Sequence, residues 1–398
     1  MSNDAFDLAA YLKDLEYLVN IDSGSRDPAG TAKIAEFFRQ KFTDMGWQGK
    51  THSFDCSIGP CLELVNTDKD QYDMLLMGHM DTVFESGTAK ERPFSLKAGK
   101  AFGPGVADMK AGLLSIYYIL SSLQREGKLN NSAICVALNS DEEISSKFSR
   151  PWLEKLSKKS SCALVFEPAR ADGNLVNRRK GVGRYKVEIT GVAAHSGVDP
   201  EKGCSAIQEL AHWILALHRQ TNYQTGTTVN VGLVSGGTAV NVVADKAVAE
   251  IDLRICSLSE AQAIEKLMHR MAANPKTPGV TAKITGGITR PPMNPQEKTM
   301  QLCRIVESIG AEMGVNVGWT FTGGGSDGCF SANLGVPTID GLGPVGGGAH
   351  SADEYILIDS IQPRYGLVKQ LIQRLALPGR IADNASTGTA PTLTCHPA

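Results

Sequence analysis

A histidine closes an apolar run, and an aspartate stands two residues further on: Tyr72–Gly78 reads YDMLLMG, and His79-Met80-Asp81 follows. The run marks a buried strand. In an extended chain, positions i and i+2 point the same way. Asp81 can therefore reach the rear nitrogen of His79 and fix its tautomer, as a metal-bound imidazole requires. A strand-end histidine making structural hydrogen bonds is the alternative. Four further segments join ligand-type side chains to strand ends or tight loops. Gly103-Pro104-Gly105 leads to Asp108, just ahead of a helix, where the aspartate is either a ligand or a helix cap. Ser132–Leu138 (SAICVAL) ends in Asn139-Ser140-Asp141-Glu142-Glu143. Three consecutive acids repel one another, and a nearby cation offsets that cost; a solvated acidic turn is the alternative. Cys162–Phe166 (CALVF) ends in Glu167, and the glycine-rich stretch 341–353 carries His350. That stretch has neither the GK[ST] sequence nor the GxGxxG spacing of nucleotide-binding loops.

In open α/β sheets, ligands bind beyond the carboxyl ends of the strands. His79, Asp108, Glu143, Glu167 and His350 can all converge there. Two imidazoles and three carboxylates make a mixed nitrogen and oxygen donor set. It suits zinc, with cobalt or manganese as alternatives, better than a thiolate site would. Charge favours two divalent ions. Three carboxylates and a hydroxide balance two dications, whereas one ion leaves buried negative charge uncompensated.

The elements that must carry these residues alternate between helix and strand. Residues 30–46 read as a helix with an apolar face on Ile34, Phe37, Phe38 and Phe42, ended by Gly46. Residues 111–127 read as another, closed by glycine. Buried strands separated by helices predict an α/β sheet, mixed but mostly parallel, covered on both faces. Near Gly181 the pattern changes. Strands over 184–190, 227–234, 242–255 and 280–285, with helices over 201–220 and 259–273, follow the order of a split βαβ unit. The expected organisation is a catalytic domain of residues 1–180 and 292–377, an inserted ferredoxin-like domain of residues 181–291, and a tail over 378–398 with the composition of disorder.

Composition narrows the function classes. The chain has 398 residues, more than one core usually organises, and a formal net charge of −2. The absence of basic excess argues against nucleic acid. No apolar run has membrane-spanning length. The amino terminus lacks the features of a signal peptide. Nine scattered cysteines suit reduced thiols in the cytoplasm better than a disulfide framework.

The segments resemble one family, the two-zinc amidohydrolases that include glutamate carboxypeptidase of the carboxypeptidase G type, aminoacylase and succinyl-diaminopimelate desuccinylase. GPGVADMKAG, FEPAR, RKGVGRYKVEITGVAAHSG and GGGSDG look most like the glutamate carboxypeptidase branch. The likeness extends to about residue 377. Departures fall at Pro104, Ala111 and Cys329, none of them a ligand candidate.

The resemblance implies hydrolysis of an amide bond next to a free carboxylate, with release of a carboxy-terminal amino acid such as glutamate. It implies His79 and Glu167 on one metal, Glu143 and His350 on the other, Asp108 bridging, and a cis Asp108–Met109 peptide. Asp81 would orient His79, and Glu142 would be the general acid/base. If residues 141–143 are extended, only one of Glu142 and Glu143 faces the metals. In the inserted domain, His195 resembles a histidine that stabilises the oxyanion in the partner subunit's active site, which implies a homodimer through 181–291. Asn241, Arg254 and Gly324 resemble substrate contacts, with Arg254 gripping the terminal carboxylate. An arginine paired with an acid on the same sheet is the alternative for Arg254. Two other functions stay open: an N-acyl-amino-acid deacylase with the same chemistry, and a catalytically silent binding protein on the same fold.

Overall fold

A computed structural model describes residues 6–376; the tail from 378 lies outside the described residues. Contacts divide the described chain into two compact units. One comprises residues 6–178, 293–321 and 326–376, the other residues 179–292 and 322–325. No helix among the described residues is long and apolar enough to cross a membrane.

The larger unit is built on a six-stranded mixed sheet. Its strands run, in spatial order, Gln48–His52, Cys61–Val65, Ile134–Asn139, Met74–His79, Ala163–Val165 and Thr338–Ile339. The first two pairings are antiparallel and the remaining three parallel. Side chains alternate between two apolar layers, as the pleat dictates. Met74, Leu76, Ile134, Val136 and Leu138 join the core under the helices Leu8–Val19, Pro28–Asp44, Ala111–Arg125 and Ile358–Leu375. Leu75, Met77, Cys135 and Ala137 pack on the other face, with Trp152, Leu153 and Leu156 of the helix Arg150–Lys158. Burial on both faces is why these strands read as continuous apolar runs. A second, four-stranded sheet joins Gly346–Gly347, Tyr355–Leu357, Lys100–Phe102 and Ser95–Lys97. It frames the loops around Asp108 and His350.

The second unit is a four-stranded antiparallel sheet with two helices. Its strands lie in the order Thr228–Gly236, Lys246–Ile255, Gly181–Thr190, Thr281–Arg290. With chain order β-α-β-β-α-β, this is the ferredoxin-like arrangement. Trp213, Leu217, Val187, Ile251 and Met268 lie in its core. The first helix is shorter than its apolar period suggests. A turn at Pro200–Lys202 ends at Gly203, and the helix Ala206–His218 begins afresh where the Ser205 side chain accepts the Gln208 N–H. Val242, expected within a strand, instead forms a lone bridge with His195, and the strand begins at Lys246.

Candidate metal centre and its surroundings

Strand register explains the clustering. Met74–His79 runs parallel between Ile134–Asn139 and Ala163–Val165, with His79 opposite Asn139 and Met77 opposite Val165. The three chains leave the sheet at one edge. Two residues beyond Met77 is His79, and two beyond Val165 is Glu167, so the two side chains arrive side by side. The chain beyond Asn139 supplies Glu142 and Glu143. Close packing allows this approach: a β-carbon at Gly112 would lie 2.0 Å from the carbonyl oxygen of Phe166, next to Glu167.

Asp108 and His350 come from the smaller sheet. Lys100–Phe102 pairs with Tyr355–Leu357 and leads directly into the loop Gly103–Asp108. His350 lies in the connection between Gly346–Gly347 and Tyr355–Leu357, at a φ of 64°, in the left-handed region. The Asp108–Met109 peptide is cis.

All five candidate ligands meet. His79 Nε2 lies 3.0 Å from Asp108 Oδ1 and 3.7 Å from Glu167 Oε1. His350 Nε2 lies 3.3 Å from Asp108 Oδ2 and 3.2 Å from Glu143 Oε2. The two oxygens of one carboxylate thus face two imidazoles from different loops. Ligand atoms of His79, Asp108 and Glu143 all lie within 4.8 Å of one another.

The electrostatics are those of an acid cluster short of positive charge. Burial pushes Glu167 well above the usual carboxylate range, and the charges of Asp108 and Glu142 push it further. Burial also raises Glu143, against a hydrogen bond with His350. Burial works to raise Asp108 too, but hydrogen bonds with His350 and His79 hold it below its ordinary value. Burial opposes protonation of His79, yet hydrogen bonds to Asp108 and Asp81 outweigh it, and the imidazole sits well above its ordinary value. Hydrogen bonds to Asp108 and Glu143 push His350 up to about 10. Three carboxylates crowd two imidazoles, a surplus of negative charge that cations would offset. With mixed nitrogen and oxygen donors, divalent zinc, cobalt or manganese fits that role.

Asp81 acts differently from the simple i, i+2 picture. Its main-chain carbonyl is the nearer partner of His79 Nδ1, at 2.9 Å, with the carboxylate at 3.4 Å. The carboxylate accepts the N–H groups of Glu142 and Glu143, each at 3.1 Å, and the Ser25 hydroxyl at 2.6 Å. Those bonds turn residues Glu142–Ile144 into a short 3-10 helix rather than an extended stretch. Neighbouring acids there need not face opposite ways. Glu143 contacts His350, and the charge of Glu142 acts on both His79 and Glu167. Asp141 turns away and accepts from Phe148 and Ser149.

His195, Asn241, Arg254 and Gly324 belong to the second unit. His195 and Asn241 are exposed neighbours on two facing loops, where Ser196 N donates to Asn241 O at 3.0 Å. Gly197 N donates to His195 Nδ1 at 3.1 Å. A neutral ring accepting there carries its proton on Nε2. Arg254 pairs with Asp252 of its own strand, through Nε at 2.9 Å and Nη2 at 3.0 Å. Its Nη1 donates to Gly323 O at 3.3 Å, next to the exposed Gly324.

Sequence reasoning missed Ser25, Lys110 and Glu354. Lys110 is a helix-start lysine with 1 % exposure, and its Nζ donates to the carbonyl oxygens of Ile21 and Pro104. Burial pushes its pKa down to about 7. Glu354 follows the His350 segment and contacts the Asp108 loop. The partners of all three are main-chain groups or distant residues, which no spacing rule reveals.

Comparison with known proteins agrees with this architecture. Over 370 residues, covering 92% of this chain and 89% of the relative, the sequence is 31% identical to carboxypeptidase G2 of Pseudomonas sp. (strain RS-16). It is 28% identical over 329 residues to acetylornithine deacetylase of Proteus mirabilis (strain HI4320), covering 76% of this chain and 80% of the relative. The fold matches the crystal structure of aminopeptidase PepT from Bacillus cereus ATCC 10987 with a TM-score of 0.76. That match covers 94% of this chain and 100% of the other at 23% identity. Residues 75–374, which contain every candidate ligand, match the model of peptidase family M20/M25/M40, and the chain belongs to that family.

Proposed function

We propose that this chain is a two-metal carboxypeptidase that cleaves the amide bond before a terminal amino acid bearing a free carboxylate, glutamate being the favoured residue. The observation that carries the reading is Asp108, whose two oxygens face His79 on one side and His350 on the other. His79 and Glu167 would hold one divalent ion, Glu143 and His350 the second, and Asp108 would bridge. Bound there, the ions would supply Lewis acidity toward the scissile carbonyl and toward water. Glu142 takes the proton of the attacking water and delivers it to the leaving amine. Asp81 orients His79 through its carbonyl and fixes the turn that carries Glu142. His195, with a proton on an exposed Nε2, donates to the oxyanion of a partner subunit in a homodimer formed through the second unit. Arg254 binds the substrate carboxylate, with its guanidinium held by Asp252, and Asn241 and Gly324 complete the substrate contacts. Zinc is the favoured metal. Free cysteines such as the buried Cys135 and Cys162 support a reducing cytoplasmic setting.

A second reading has support in the 28% likeness to acetylornithine deacetylase: the same chemistry acting on an N-acyl amino acid. Hydrolysis of folate-type and peptide glutamate conjugates, assayed beside acetylated amino acids, separates the two. Release of glutamate is the expected result. Cleavage of acetylated amino acids alone would remove the carboxypeptidase reading.

A further inference from the structure

The loop that presents Asp108 is held by a residue far along the chain. Glu354 is 1 % exposed. Its Oε1 accepts the N–H groups of Ala107 and Asp108, at 2.8 and 2.9 Å, and its Oε2 accepts that of Gly105 at 3.1 Å. A buried carboxylate is costly unless hydrogen-bonded, and these three donors offset part of that cost, burial still raising its pKa to about 7. The donors gain equally, since a main-chain N–H held away from water needs an acceptor. They lie in the loop ahead of the helix Ala111–Arg125. On the carbonyl side, Lys110 Nζ holds Pro104 O at 3.3 Å. The loop is thus held through its donors by the Glu354 side-chain oxygens and through an acceptor by Lys110 Nζ.

Sheet register puts Glu354 there. Tyr355 lies opposite Phe102 in an antiparallel pair, so the residue before Tyr355 lies beside the residues after Phe102. The same segment carries His350, which faces Asp108 Oδ2. One stretch of chain therefore offers a side chain to the Asp108 carboxylate and, four residues on, fixes the Asp108 main chain.

We propose that Glu354 is a positioning residue that sets Asp108 between the two halves of the metal cluster, so that divalent-ion affinity depends on its paired oxygens. This rests on the two-ion reading above. Glutamine has the same shape, but one oxygen becomes an NH2 group, which meets an N–H donor with another donor. Aspartate keeps both oxygens on a shorter stem.

The test is cobalt(II) titration of chelator-treated full-length protein, by calorimetry and by the visible absorption of the bound ion. Glu354→Gln is expected to weaken binding roughly 10–100-fold, as loss of a partner outside the ligands commonly does, and to change the absorption. Glu354→Asp should recover part of the affinity. Glu209→Gln is the control. Glu209 is equally buried, in the second unit, and accepts the Thr277 N–H at 2.7 Å. That variant should lose thermal stability and bind cobalt as the unmodified chain does. Unchanged affinity and absorption in Glu354→Gln would overturn the proposal, as would an equal affinity loss in Glu209→Gln. If Glu354→Gln does not fold, Glu354→Asp decides: affinity equal to that of the unmodified chain overturns it. Failure of the unmodified chain to bind any divalent ion would instead remove the two-ion reading itself.

Discussion

Two histidines show how differently the two units prepare for chemistry. His79 is 2 % exposed, and both ring nitrogens have partners, Asp81 O at 2.9 Å and Asp108 Oδ1 at 3.0 Å. Its neighbours are themselves held: the Asp81 carboxylate by three donors, the Asp108 main chain by Glu354. His195 stands exposed on a loop, oriented by one bond from Gly197. The first arrangement draws all of these contacts from its own unit. The second rests on the single bond to Nδ1. The buried residues are the ones assigned above to metal binding and water activation. Residues left exposed on a loop suit encounter with a substrate or a second copy.

The sharpest test of that contrast is Glu142→Ala. The residue sits on the turn fixed by Asp81 but is assigned proton transfer rather than ligation. Hydrolysis should fall about 10²–10⁴-fold, the usual contribution of a positioned general acid/base, while the metal content measured by emission spectrometry stays at the level of the unmodified chain. Undiminished hydrolysis would sink the mechanism.

His195→Ala should cost about 10²–10³-fold in kcat, as loss of one oxyanion donor does, again with metal retained. Mixing this variant with Glu142→Ala tests whether the histidine acts on a partner. In a symmetric dimer that exchanges subunits, about a quarter of the sites regain both groups. Activity that stays at the sum of the two variants would return His195 to its own subunit or to no role.

The second unit should behave as a structural body whose damage leaves the cluster intact. Trp213 is 1 % exposed in its core. Trp213→Ala should cost about 3–5 kcal/mol of stability, the usual range for a buried aromatic, read by denaturant unfolding. The cobalt absorption of the surviving folded fraction should be unchanged. An altered spectrum would show that the two units share more than the chain.

These contrasts also mark what was readable in advance. His79, Glu143 and Glu167 were legible because each follows an apolar run, and three neighbouring parallel strands deliver their carboxyl ends to one edge. His350 and Asp108 were legible as ligand types in glycine-rich loops. The start of the helix at Ala206 was written in Gly203 and Ser205 but masked by the apolar period around them. The turn at Glu142 was not legible. It exists because the Asp81 carboxylate, 61 residues away, draws in two successive N–H groups. Glu354 was hidden for the same reason, since its partners lie 246 or more residues away. Local pattern finds groups that end elements, and misses groups whose partners are main-chain atoms of distant loops.

The smallest effect expected comes from Ser25, and its smallness is informative. Ser25 Oγ donates to Asp81 Oδ2 at 2.6 Å, a bond to a charged acceptor and so worth about 1.5–3 kcal/mol if it stood alone. It does not stand alone. The same carboxylate keeps the N–H groups of Glu142 and Glu143 and stays 3.4 Å from His79 Nδ1. Ser25→Ala removes one donor of three and leaves the turn and the imidazole held. Stability should fall by about 1 kcal/mol, the net worth of a single hydrogen bond, and kcat by less than about tenfold, with KM unchanged because no substrate contact is lost. A kcat loss as large as that of Glu142→Ala would mean that Asp81 depends on Ser25 to hold the turn. The cluster would then be only as rigid as its outermost hydroxyl, and the contrast with His195 would narrow to one hydrogen bond on each side.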